Sequence, residues 1–217
     1  MIELINVSKR YADTGDALSN ISLSIASGEL LFVTGHSGAG KTTLLRVIGG
    51  LERCTEGQLV VAGQNVGRMS AQTIPHYRRR VGLVFQDHRL LPDRTVFDNV
   101  ALPLILGGAS GRDITPRVRA ALARVGLEHR ELTSPATLST GEQQRVGIAR
   151  AVVSRPPILL ADEPTGNLDP ALSREVIALF SDFHRLGTTV VIATHDRDLL
   201  TVAHARILEL HEGRCVE

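Results

Sequence analysis

The sequence predicts an α/β fold: a doubly wound, mainly parallel core sheet, an N-terminal antiparallel β subdomain, and an inserted helical subdomain. Three observations predict it. Four almost unbroken apolar runs, ELLFVTG (29–35), VGLVF (81–85), ILLAD (158–162) and TTVVIAT (188–194), have the pattern of parallel strands buried on both faces. Three short, partly alternating runs, at 1–7, 17–25 and 58–63, read as strands of a small antiparallel sheet with one wet face. Finally, 95–106, 114–126 and 141–154 read as helices and follow one another with no core strand among them. The segment from about 90 to 153 is therefore an insertion into the core. The tail, ARILELHEGRCVE, reads as two short strands about a Glu212-Gly213 turn. A chain of 217 residues is within the size that one core supports, so 1–217 is expected to be a single domain.

Charge and composition exclude several functions. The formal net charge is +1, with 24 basic and 23 acidic residues mixed along the chain, which argues against a general nucleic-acid or membrane-surface binder. Arg78-Arg79-Arg80 reads as a solvated helix end before VGLVF. Cys54 and Cys215 match no metal-ligand spacing and read as two inert thiols in a reducing compartment. No secretory leader pattern opens the sequence, and the longest apolar stretch, 100–109, is interrupted by Pro103 and Gly107. Direct membrane insertion is not expected, so any membrane association runs through a partner.

The strongest motif is GHSGAGKT at 35–42, a G-x-x-x-x-G-K-[ST] phosphate loop. It follows a buried strand and opens the helical stretch KTTLLRVIGGL, which is the context the motif requires. Gly35, Gly38 and Gly40 let the backbone curl, so that N–H groups from His36 through Thr43, those of Ser37 and Ala39 included, point inward at phosphates beside the positive end of a helix dipole. Lys41 is expected to pair with β- and γ-phosphate oxygens, and Thr42 to ligate Mg2+.

A triphosphate site also needs a second metal anchor and a group that directs water. ILLADE (158–163) supplies both: Asp162, at the end of a buried strand, for the metal's water shell, and Glu163 as general base. His195, in VVIATHD, ends the last core strand and is expected beside the γ-phosphate. Gln86, ending VGLVFQ, occupies the equivalent end of another strand and is expected to sense metal and water with its amide.

LSTGEQQR (138–145) looks like a second anion receptor, made of Ser139, the Gly141 amide and a helix N-terminus. It lies in the inserted subdomain, away from the chain's own phosphate loop. A second copy of the chain, packed head-to-tail about a two-fold axis, would receive LSTGE on its bound γ-phosphate. NLDP (167–170), with Asp169, is expected to cross that interface. Ser139 and Glu142 also make a capping box, and the two readings are compatible.

In this order, the phosphate loop, Gln86, LSTGE, ILLADE, NLD and His195 resemble an ATP-binding-cassette nucleotide-binding domain, and the resemblance covers the whole chain. It implies a P-loop NTPase fold, ATP and Mg2+ as ligands, hydrolysis to ADP and phosphate, and Tyr11 stacked on adenine. Thr140 departs from the family's signature, which has glycine there; a β-branched residue resists positive φ, so either the position does not need it or the cap is weakened. Within the family, TGHSGAGK, VFQDHRLLPDRTVFDNVALPL and GEQQRVGIARAVVSRPPILLADEPTGNLD resemble the bacterial cell-division ATP-binding subunits. That implies an integral membrane partner of the FtsX type, a peripheral place on the cytoplasmic face of the inner membrane, and control of septal peptidoglycan hydrolases. ATPase subunits of lipoprotein-release and macrolide-exporter systems share GEQQR and ADEPTGNLD, and a nucleotide switch with little turnover is a further alternative. A chromosome or DNA-repair ATPase would need a coiled coil before the signature, where Pro92, Pro103 and Pro116 stand instead. Leu90, Leu91 and Phe97 are expected to line a groove for a short helix of the membrane partner.

Overall fold

The computed structural model describes residues 1–13, 15–196, 200 and 205–216. β1 (Ile2–Tyr11), β2 (Gly15–Ile25), β4 (Glu56–Val61) and the two-residue β5 (Gln64–Asn65) form an antiparallel sheet in the order β2-β1-β4-β5. A second sheet holds β3 (Leu30–Thr34), β6 (Val81–Val84), β7 (Ile158–Asp162), β8 (Thr189–Ala193), β9 (Arg206–His211) and β10 (Arg214–Val216), in the order β10-β9-β3-β8-β7-β6. Its pairings are parallel except for the β9–β10 hairpin.

Side-chain alternation along the core strands divides the interior in two. Phe32, Leu159 and Ile192 face one layer, while Val33, Leu160 and Val191 face the other. Against the second layer packs α1 (Lys41–Ile48), together with the antiparallel sheet. Against the first pack α3 (Val96–Leu106), α4 (Gly111–Arg124) and α5 (Thr140–Val152), all inserted between β6 and β7, and α6 (Pro170–Arg185). Among the described residues, no helix is long and apolar enough to cross a membrane.

Register decides where function can sit. Val33 is level with Ala193, and Ala193 with Asp162, so the C-terminal ends of β3, β8 and β7 stand side by side. Ligands of open α/β sheets bind at that end, where adjacent strands lead their connections to opposite sides.

The β9–β10 hairpin closes on this end as well. Glu212 (φ 46°) and Gly213 (φ 75°) are both left-handed, the conformation that matches strand twist in a two-residue hairpin turn. The Gly213 N–H donates to the Ala39 carbonyl (3.0 Å) and its carbonyl accepts from the Ser19 N–H (2.8 Å), tying the turn to loop 35–42 and to β2.

The sequence expectations contain no helix between ILLADE and the last core strand, and the structure puts α6 there. Its signals are present: Asp169 Oδ1 accepts from the Ala171 and Leu172 N–H groups (2.9 and 3.0 Å), Pro170 is the first helical residue, and Val176, Ile177, Phe180 and Phe183 are buried at helical spacing. The short α2 (Ile74–Arg78) ends in the arginine run, whose three members are exposed; Arg78 Nε donates to the Gly50 carbonyl at 2.9 Å. Cys54 and Cys215 are free and half-buried, and burial pushes the Cys215 thiol up.

Candidate active site

Loop 35–42 leaves β3 at Gly35 and enters α1 at Lys41. Gly35 (φ 145°) and Gly40 (φ 103°) are needed twice over. A Cβ on Gly35 would lie 2.3 Å from the Leu210 carbonyl oxygen, and one on Gly40 would lie 2.5 Å from that of Ala17. Gly40 is the left-handed N-cap of α1 and offers no side-chain cap, so the first turn presents its amides to the hollow of the loop. Lys41 folds back beneath it. Its side chain is 8% exposed; Nζ donates to the carbonyls of Gly35 (2.7 Å) and His36 (3.2 Å) and lies 3.5 Å from Glu163 Oε1. The exposed His36 packs edge-on against His211, ring centres 5.2 Å apart, and its Nδ1 is 2.6 Å from the Ser37 carbonyl.

Two acids meet this loop from the end of β7. Thr42 Oγ1 donates to Asp162 Oδ1 at 3.1 Å. Burial pushes the Asp162 carboxyl up, and the Thr42 hydrogen bond works against it. Glu163 leaves the strand in the left-handed region (φ 46°), a conformation that costs a side-chain-bearing residue roughly 1–3 kcal/mol. Its N–H donates to the Ala193 carbonyl (2.9 Å) and its carbonyl accepts from Gly166 (3.2 Å), which holds the bend. The bend turns the carboxylate toward both Lys41 and His195, whose Nδ1 is 2.9 Å from Glu163 Oε2. Glu163 is 12% exposed at its side chain, whereas the His195 ring is 66% exposed. Gln86, just past β6, lines a cleft of about 400 Å3 together with Thr42, Asp162 and Asn167. Thr42, Gln86, Asp162 and Asn167 each bring an oxygen to that wall, a donor type suited to a hard divalent cation such as Mg2+.

Tyr11 lies at the edge of the loop. Its hydroxyl donates to Glu52 Oε2 at 2.5 Å and borders Thr43, while Lys9 Nζ covers the ring 4.9 Å from its centre. The LSTGE segment is elsewhere. Ser139 and Glu142 form a reciprocal capping box, with Ser139 Oγ accepting from the Glu142 N–H and Glu142 Oε2 accepting from the Ser139 N–H. Ser139 and Thr140 are exposed, whereas Gly141 is buried, and a Cβ there would lie 3.1 Å from Leu172 at the start of α6. Among the described residues, no hydrogen bond or ion pair joins Ser139, Thr140 or Gly141 to loop 35–42. Thr140 is not among the residues of positive φ, so this position does not use the conformation that glycine would permit.

Comparison with known proteins decides the family. Residues 18–166 match the model of the ABC transporter family. The chain belongs to the ABC transporter family. It is an ATPase of that family. It is similar to the cell division ATP-binding protein FtsE of Escherichia coli (strain K12), with 52% identity over 213 residues that cover 98% of this chain and 96% of that protein. Its fold is similar to the dimeric structure of MJ0796, a bacterial ABC transporter cassette, with a TM-score of 0.93, 37% identity, and coverage of 100% of this chain and 97% of that one. A dimeric post-hydrolysis state of MJ0796 bound to ADP and Pi matches with a TM-score of 0.92, 36% identity and the same coverage.

The three residues expected to line a groove lie after Gln86 and differ in exposure. Leu90 and Phe97 pack against the core beneath the helical insertion; of the three residues expected to line a groove, Leu91 is the exposed one, at 40%. A paired leucine marks apolar burial without saying on which side of a loop it occurs. Asn99 holds this turn of the cassette and is missed by sequence reasoning. Fully buried, it accepts from the Leu91 N–H (2.7 Å) and donates to the Leu91 carbonyl (3.1 Å). The available signal is an asparagine on the apolar face of a helix, which must find partners.

Proposed function

We propose that this chain is the ATP-hydrolysing subunit of a membrane complex that acts in bacterial cell division. The observation that carries the reading is the 52% identity to the E. coli cell division protein FtsE over nearly the full length of both chains. In this reading the whole chain works as one ATP-binding domain, with the helical insertion of about 90–153 as its mobile part. It binds peripherally, on the cytoplasmic face of the inner membrane, to an integral partner of the FtsX kind, and its cycle governs septal peptidoglycan hydrolases outside.

The residues divide the work as follows. Loop amides from Gly35 to Thr43 hold the phosphates of ATP, Tyr11 stacks on adenine with its open face, and Thr42, Asp162 and Gln86 hold Mg2+. Held there, a Mg2+ ion would supply Lewis-acid charge to the phosphates. Lys41 is the counter-charge of Glu163 before nucleotide arrives (3.5 Å). As the phosphates recruit Lys41, the Glu163 carboxylate keeps His195 as its remaining partner and accepts a proton from the attacking water. Two copies sandwich ATP: Ser139 and the Gly141 amide of one close on the γ-phosphate of the other, and Asp169 lies at the seam. The dimeric MJ0796 structures support such a pairing.

The test is replacement in cells. Supplied to a bacterium depleted of its own cell-division ATPase, the chain together with its membrane partner restores septation. Continued filamentation, with rescue instead of a lipoprotein-release mutant, would reassign it. A finer expectation concerns the signature. Because Thr140 adopts an ordinary helical conformation, Thr140→Gly changes the steady-state ATPase rate only a few-fold; a rise of a hundredfold, about 2.7 kcal/mol of barrier, would show the natural cap to be weakened by its threonine.

A further inference from the structure

Arg150 has no assigned role, and its surroundings are unusual for a cation. It stands on α5, the helix that opens with Ser139 and Thr140, and is only partly exposed. Among the described residues it forms no ion pair of 4.0 Å or less. Its guanidinium instead donates to two successive backbone carbonyls, Nη2 to His88 (2.5 Å) and Nη1 to Arg89 (2.6 Å). A half-buried cation committed to backbone oxygens is costly to keep unless the backbone it holds matters.

That backbone is strained. His88 (φ 54°) and Arg89 (φ 48°) are consecutive left-handed residues, neither of them glycine, and such residues persist only where their surroundings over-determine them. The bracing is visible on every side. The His88 ring lies against Gln144, one turn before Gly147, and a Cβ on Gly147 would come within 4.0 Å of the His88 carbonyl oxygen. Residues 144, 147 and 150 thus form one face of α5, applied to this segment. On the other side the Arg89 guanidinium stacks 4.2 Å over the Phe85 ring, and its Nε donates to Asp87. Gln86 stands between these braced residues.

We infer that Arg150 is a positioning residue for Gln86: by clamping the His88 and Arg89 carbonyls to α5, it sets where the Gln86 amide stands relative to Thr42 and Asp162. The inference rests on the assignment of Gln86 to metal and water proposed above. The fork geometry explains the residue type, because a planar guanidinium bonds two adjacent carbonyls at once, whereas an ammonium is a single point of attachment. It also makes α5 a rigid link, with the nucleotide-facing end at Ser139 and the Gln86 segment fastened to its flank.

The experiment is a double-mutant cycle on the full chain, with kcat, the KM for ATP and the half-saturating Mg2+ concentration measured for native, Arg150→Lys, Gln86→Ala and the double variant. Arg150→Lys is expected to lower kcat about tenfold and raise the Mg2+ requirement, with the KM for ATP within about threefold of native. In the Gln86→Ala background the same change should cost less than about twofold, because the group it positions is gone. Arg150→Gln, which retains an amide donor, is the second variant, so that one poorly folded product does not decide the matter. Equal losses in both backgrounds, or a native kcat for both Arg150 variants, overturn the clamp. A native kcat for Gln86→Ala overturns the assignment of Gln86 itself, and the clamp with it.

Discussion

Glu163→Gln binds ATP as tightly as the native chain and hydrolyses it at least about a hundredfold more slowly, within the 10²–10⁴ that a positioned general base contributes. The substitution keeps size and a hydrogen-bonding oxygen for His195 but removes the carboxylate that takes a proton from water while Lys41 is occupied by phosphate. It also replaces a charge 3.5 Å from Lys41 with a neutral amide, so the competition between carboxylate and phosphate for that ammonium disappears. Phosphate release at saturating ATP, measured beside ATP-dependent dimerisation by light scattering, tests both halves. The variant should accumulate as a nucleotide-bound dimer; hydrolysis at a near-native rate would remove Glu163 from the mechanism and leave His195 as the candidate base.

Lys41→Ala acts earlier in the cycle and loses ATP binding itself, by at least about a hundredfold in Kd, or roughly 2.7 kcal/mol. The ammonium is nearly enclosed and binds the Gly35 and His36 carbonyls as well as facing Glu163. Alanine therefore takes away a phosphate ligand and also the donor to the Gly35 carbonyl, about 1–3 kcal/mol to leave unpaired, while the His36 carbonyl keeps the Ala39 N–H and Glu163 keeps His195. Lower thermal stability without nucleotide should accompany the lost affinity, and added ATP should no longer raise the melting temperature. Retention of that ATP-dependent rise would show that the loop amides alone carry the affinity.

How much of this was legible depended on whether a feature was local. The run ILLAD predicts a strand over 158–162, and β7 is Ile158–Asp162, because a strand buried on both faces is apolar until it meets the site, where an acid ends it. β1, expected over 1–7, continues to Tyr11, because Lys9 and Arg10 lie in a sheet with one wet face, where hydropathy does not mark the end. The motif residues could be named because each motif is contiguous, and the parallel register brings their strand ends together. What the sequence could not display is the pairing across motifs: Lys41 with Glu163, or Arg150 with the carbonyls of His88 and Arg89. Such contacts leave no spacing pattern, since a side chain bonding a distant backbone oxygen asks nothing of the residue type there.

The C-terminal hairpin has a consequence in time. Gly213 bonds Ala39, and the Leu210 carbonyl abuts Gly35, so one wall of the phosphate loop is built from residues far later in the chain than the loop it supports. Domains fold as they emerge from the ribosome, N-terminal parts first. A growing chain thus exposes GHSGAGKT long before the wall behind it exists, and the loop gains that support only once translation has passed the hairpin.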